Sequence, residues 1–169
     1  MSVDDLRELY QEVILDHNKN PRNFGELSDA NYTADGNNPL CGDRLTVYLK
    51  LDDNELVNEV AFTGKGCAIS IASASMMTTV VKGKTVKQVN DLFDKFHKLC
   101  TGESDEAELD EFEDEIAKLR VMSGVRQFPM RVKCATLSWH AVEAAINKKD
   151  TATTESGLSN VESIEFFEQ

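Results

Sequence analysis

Apolar residues near the start recur at Leu6, Leu9, Tyr10, Val13 and Ile14. That is the three-and-four spacing of one helix face, so an amphipathic helix is predicted over 3–16. Residues 17–40 are rich in Asn, Pro, Gly and Asp and read as a long ordered loop, with a short strand near 31–34. Leu45, Val47, Leu49 and Leu51 then alternate with Thr46, Tyr48 and Lys50, the period of a half-buried strand. Asp52-Asp53-Asn54 turns the chain into a second strand over 56–63, giving a hairpin. After Gly64-Lys65-Gly66, a small-residue segment places Ile69, Ala72, Met76 and Val80 on one stripe, a helix closed at Gly83. Thr85 with Gln88 has the spacing of a capping box. Val86, Val89, Phe93, Phe96 and Cys100 follow at helical steps. Leu109, Phe112, Ile116 and Leu119 mark a further amphipathic helix. A last helix is expected over 131–147, with Val132, Ala135, Trp139, Val142 and Ile146 as its buried stripe.

Strands precede a run of helices, with no internal repeat, so the expected class is α+β: a small antiparallel sheet of about three strands packed on a helical layer. The 169 residues suit one domain, placed at 1–149 with an acidic helical insertion near 100–120. An acidic tail at 150–169, poor in apolar residues before Phe166, is expected to be mobile. No apolar run approaches the about 20 residues of a membrane helix. The acidic start MSVDDLRELY is not a signal peptide, so the expected location is the cytoplasm.

The formal net charge is −12. Residues 102–115 hold nine acids and residues 150–169 five, neither stretch with a Lys or Arg, which leaves +2 for everything else. The protein is therefore a nearly neutral body with two acidic appendages. This balance argues against nucleic acid and against an anionic membrane surface as partners.

Four cysteines remain to be explained: Cys41, Cys67, Cys100 and Cys134. In an intracellular chain they read as ligands or nucleophiles rather than disulfides. Cys41-Gly42-Asp43 sets a thiol and a carboxylate on one loop before a strand. Cys67 opens a helix, and Cys134 is expected in the first turn of the last helix. Both positions favour thiolate. Three thiolates and a carboxylate suit tetrahedral Zn²⁺. Three buried cysteines acting as small hydrophobes, with Asp43 capping a turn, fit the same spacing. Cys100 lies on its helix's apolar stripe and reads as a core residue beside a surface His97. His140 reads as a helix-surface residue.

Four segments carry a family resemblance: LDHNKNPRNFG at 15–25, PLCGD at 39–43, GKGCAIS at 64–70 and PMRVKC at 129–134. In this order they resemble the iron–sulfur cluster assembly proteins of the IscU/NifU N-terminal type, over about residues 3–148. Lys133 stands where IscU-type members have His, the Leu-Pro-Pro-Val-Lys motif is missing, and the 100–120 insertion is present. These features are closest to the SufU branch of that family. The resemblance implies a SufE/NifU-like fold, Zn²⁺ bound by Cys41, Asp43, Cys67 and Cys134, and a partner, a pyridoxal-phosphate cysteine desulfurase of SufS type. Downstream cluster-assembly or apo iron–sulfur proteins would receive the sulfur. In this picture Cys41 accepts the persulfide sulfur, and Arg126, Arg131 and Lys133 are candidates to balance the site or meet the partner. The alternative activity is a scaffold that assembles a [2Fe–2S] cluster, or holds iron, on the same ligands. A monomer is expected.

Overall fold

The computed structural model describes residues 3–103 and 111–154, and for 3–9 the backbone only. The chain runs α1 (Val3–Lys19), β1 (Tyr32–Asn38), β2 (Asp43–Leu51), β3 (Val57–Lys65), α2 (Ala68–Val81), α3 (Val86–Thr101), α4 (Glu113–Leu119), a 3-10 segment (Arg120–Gln127), α5 (Pro129–Ile146) and β4 (Thr151–Thr153). The sheet order is β3-β2-β1-β4. The β1–β2 and β2–β3 pairs are antiparallel, and β4 lies parallel to β1.

The alternation in β2 sets the sheet's inner face. Asp43, Leu45, Val47, Leu49 and Leu51 are all buried, while the residues between them are not. The β2–β3 turn is held by Asp52, whose carboxylate accepts the backbone N–H groups of Asn54 and Leu56. On the inner face α2 and α5 pack together. Both are sheathed in small side chains, which let helices approach closely. Ser73 and Ala135 touch through a side chain-to-backbone hydrogen bond of 2.5 Å. Close approach also explains Gly36 in β1. A Cβ there would stand 3.2 Å from Leu137 of α5, so a larger residue would lift α5 off the sheet.

Helix ends follow the sequence signals. Thr85 and Gln88 form the predicted capping box, and Gly102 ends α3 in the left-handed region. Pro129 starts α5 at its first position, where the missing N–H costs no hydrogen bond. Phe93 and Phe96 of α3 both stack on Trp139, at 5.7 and 5.1 Å between centroids.

Part of the acidic insertion is a docked amphipathic element. Phe112, Ile116 and Leu119 are buried, and Glu115 pairs with Lys84 at 3.3 Å. Leu109, expected on the same stripe, lies outside the described residues. The 15–25 motif ties α1 to α2. His17 and the Arg22 backbone share the Ser75 hydroxyl at 2.7 and 2.8 Å, and Asn23 donates to Thr78.

Several expectations are corrected. The sheet has four strands and is mixed, because β4, too short to carry a periodic signal, returns beside β1. The boundary at 150 therefore shifts: Thr151–Thr153 is a strand and Thr154 is buried, while 155–169 lie outside the described residues. β1 reaches Asn38, four residues past its predicted end. The 3-10 segment, which buries Val121, Met122 and Val125, was not expected. Among the described residues, no helix is long and apolar enough to cross a membrane.

Candidate metal centre

β1 and β2 are joined by residues 39–42. The Asn38 carbonyl accepts the N–H groups of Cys41 and Gly42 at 3.3 and 2.9 Å. Gly42 has φ of +73°, a conformation that L side chains rarely adopt. This tight hairpin lifts Cys41 to a half-buried position and points Asp43, the first residue of β2, inward. The carboxylate is wholly buried, so it needs partners. Its Oδ1 accepts the Cys67 backbone N–H at 2.8 Å, and its Oδ2 accepts the Asn38 amide at 3.2 Å. Gly66 makes room for it: a Cβ there would stand 2.6 Å from Oδ1.

Cys134 reaches the same point from α5. Its Sγ lies 3.3 Å from that of Cys41. The ligand atoms of Cys41, Asp43 and Cys134 all fall within 4.8 Å of one another. Cys67 joins through Asp43, with Sγ 3.9 Å from Oδ2. A tetrahedral Zn²⁺ with sulfur ligands at about 2.3 Å needs donor atoms spaced by about 3.5–3.8 Å. Cys41, Asp43 and Cys134 therefore lie close enough to share one ion, with Cys67 at the edge of the group beside Asp43.

The two helix-borne cysteines differ, contrary to expectation. Cys67 is the N-cap of α2, accepting the Ser70 N–H at 3.4 Å. A hydrogen bond from the Cys134 thiol, followed by that from Ser70, pulls its pKa down to about 6. Cys134 is the sixth residue of α5 rather than in its first turn, so the helix N-terminus does not bias it. Donation to Cys67, then burial, raises its pKa and keeps the shared proton on Cys134.

Of the expected basic neighbours, Arg131 is present, with Nη1 4.0 Å from Cys134 Sγ. Lys133 is half-buried beside Cys134. Arg126 is engaged elsewhere: its Nε donates to the Leu99 carbonyl at 2.6 Å, closing the end of α3. Cys100 is buried in the core, and burial pushes its thiol up to about 12. His140, expected on the helix surface, is half-buried. It packs edge-on against Phe93 at 5.0 Å, and burial, then the nearby His97, pushes it down to about 4.

The sequence reading missed Asn38. The signal was available: it stands five residues before Asp43 across a four-residue loop, which makes the two cross-strand partners in a hairpin.

Residues 9–135 match the family model of the NifU-like N-terminal domain. The chain is 42% identical over 146 residues to the zinc-dependent sulfurtransferase SufU of Bacillus subtilis, covering 86% of this chain and 95% of that protein. It is 37% identical over 152 residues to the iron–sulfur cluster assembly scaffold protein IscU of Streptococcus pyogenes, covering 90% and 91%. The solved structure of a nitrogen-fixing NifU-like protein (N-terminal) from Brucella abortus superposes with a TM-score of 0.72 at 26% identity, covering 85% of this chain and 95% of that one.

Proposed function

The chain belongs to the NifU-like N-terminal domain family, and we propose that within it the protein is a zinc-dependent sulfur acceptor for iron–sulfur cluster assembly. It would work in the cytoplasm with a pyridoxal-phosphate cysteine desulfurase, and pass sulfur on to cluster-assembly or apo iron–sulfur proteins. The observation that carries the reading is the convergence of Cys41, Asp43 and Cys134 on one point, with Cys67 joined through Asp43. The 42% identity to a protein named for this activity supports it.

Cys41, Asp43, Cys67 and Cys134 would hold the ion. A bound Zn²⁺ stores its thiolates deprotonated and restrains their reactivity. Cys41 is the acceptor because it is half-exposed and sits on a loop hinged at Gly42, whereas Cys134 is wholly buried. The Cys41 thiolate attacks the terminal sulfur of the donor's persulfide. A new S–S bond forms at Cys41, the donor's S–S bond breaks, and the donor cysteine leaves as a thiolate. The exchange needs no external oxidant. Arg131, exposed and beside the sulfurs, offsets the negative charge of the cluster. Asp43 and Cys67 stay tied together by the 2.8 Å hydrogen bond, which keeps the rest of the site in place while Cys41 moves.

The test is to incubate the zinc-loaded protein with a cognate desulfurase and cysteine and to follow sulfide release. Wild type should stimulate the desulfurase and Cys41→Ala should not. No stimulation by wild type, or undiminished stimulation by the variant, overturns the proposal. A [2Fe–2S] scaffold on the same ligands is the second reading, favoured by the likeness to IscU. Recovery of a stable cluster in preference to zinc from cells supplied with both metals would select it.

A further inference from the structure

We infer that Asn38 is a positioning residue of the metal centre, and that Thr154, beyond the last helix, decides which way its amide faces. The inference rests on the metal centre proposed above. Asn38 is wholly buried at the mouth of the β1–β2 hairpin, paired with Asp43 across the two strands. Its Nδ2 donates to Asp43 Oδ2 at 3.2 Å and lies 3.4 Å from Cys134 Sγ. One amide thus holds two of the four donor atoms, one from the sheet and one from α5. Its Oδ1 accepts the Thr154 hydroxyl at 3.0 Å, and Thr154 is itself buried.

The chain after α5 is therefore a strap. β4 pairs with β1 over three residues, and the Thr154 backbone N–H continues the ladder to the Asn37 carbonyl at 3.2 Å. That register delivers the Thr154 hydroxyl to the far side of the Asn38 amide. Turned the other way, the amide would set its carbonyl oxygen against a carboxylate and a sulfur, removing a donor from each and putting an acceptor in its place. Hydrogen bonds to metal ligands orient them and tune how strongly they bind, and losing one costs about 10–100-fold in metal affinity. Asn38 makes two such bonds at once, and Thr154 acts only through it.

The test uses the full chain with Zn²⁺, by competition with a chromophoric chelator, and with Co²⁺, by its visible absorption. Asn38→Asp keeps the shape but replaces the donor with a second carboxylate. It should weaken zinc binding by about 10–100-fold and shift the cobalt bands. Thr154→Val should do the same to a smaller degree, and Thr154→Ser should restore wild-type behaviour, since only the hydroxyl is at issue. Affinities within about twofold of wild type and unchanged cobalt spectra in Asn38→Asp and Thr154→Val would overturn the inference. If Asn38→Asp fails to fold, the Thr154 pair decides alone. If wild type takes up neither metal, the function proposed above falls, and the strap is then read in the metal-free protein. There the Asn38 side-chain amide protons should exchange with water about tenfold or more faster in Thr154→Val than in wild type, and equal rates would overturn it.

Discussion

Cys67 and Cys100 are the same residue in the same small domain, and their surroundings drive them to opposite behaviour. Cys67 caps α2 with a backbone N–H and a neighbouring thiol directed at its sulfur, which brings its pKa to about 6. Cys100 ends the apolar stripe of α3, wholly buried, and its pKa rises to about 12. The first setting stabilises negative charge with oriented donors, and in the second burial outweighs the nearby Arg126 charge. The molecule is divided accordingly. One end, at the hairpin mouth and the helix start, gathers sulfur, carboxylate and amide. The other, around Trp139, gathers rings and excludes water.

The sharpest way to break this division is to ask which thiol reacts. At pH 7 the two pKa values imply thiolate populations differing by about 10⁵-fold. With a chelator present, iodoacetamide should label Cys67 readily and leave Cys100 untouched until the protein is unfolded in urea. Peptide mass analysis reads the outcome. Equal labelling of the two in the folded chain would mean that neither the Cys134 hydrogen bond nor the helix cap activates Cys67.

A smaller effect sharpens the aromatic side of the comparison. His140 is held near pKa 4 against an ordinary value of 6.5. Its folded pKa is depressed, so between about pH 4 and 6.5 the folded chain binds fewer protons than the unfolded one. Stability therefore rises with pH across that window. The contribution is complete above pH 6.5 and is lost as pH falls towards 4. The groups facing it are Phe93 and His97, neither of which supplies a negative charge to hold an imidazolium. The contribution amounts to at most about 3 kcal/mol. Urea titrations with chelator present should show His140→Gln losing part of the pH slope that wild type has. Identical slopes would place the ring in water.

What the sequence disclosed depended on the range of the signal. Helices announced themselves wherever an apolar stripe ran three turns, as from Val86 to Cys100, and so did the β2 alternation. β4, three residues long, had too few at any period to register. At the site, Cys41 and Asp43 were legible because they share one turn. The gathering of Cys67 and Cys134 depends on how α2 and α5 cross the sheet, and spacing does not encode that. Their opposite charge states were misread for a related reason. The start of α5 lies at Pro129, two residues before the 131 that its apolar pattern suggested, and this makes Cys134 the sixth residue, beyond the first turn. The sequence pattern ends β1 at 34 and so leaves Asn38 in a loop, whereas the strand runs to Asn38. In register with Asp43 it becomes part of the centre.

The smallest test asks whether the two regions are independent. Cys100→Ser should bury a hydroxyl among the apolar core, with only the carbonyls of its own helix turn to receive it. Such burial costs about 1–3 kcal/mol. The Leu99 carbonyl next to it is already taken by Arg126, so the hydroxyl gains little there. Zinc stoichiometry and cobalt spectrum should nonetheless match wild type, because no donor atom or ligand-holding hydrogen bond involves α3. Loss of stability with an intact metal centre is the signature of two regions that share a fold but not a chemistry. Loss of metal together with stability would mean that the ring-filled core and the sulfur cluster move as one unit, and that the division drawn between Cys67 and Cys100 is one of local charge alone.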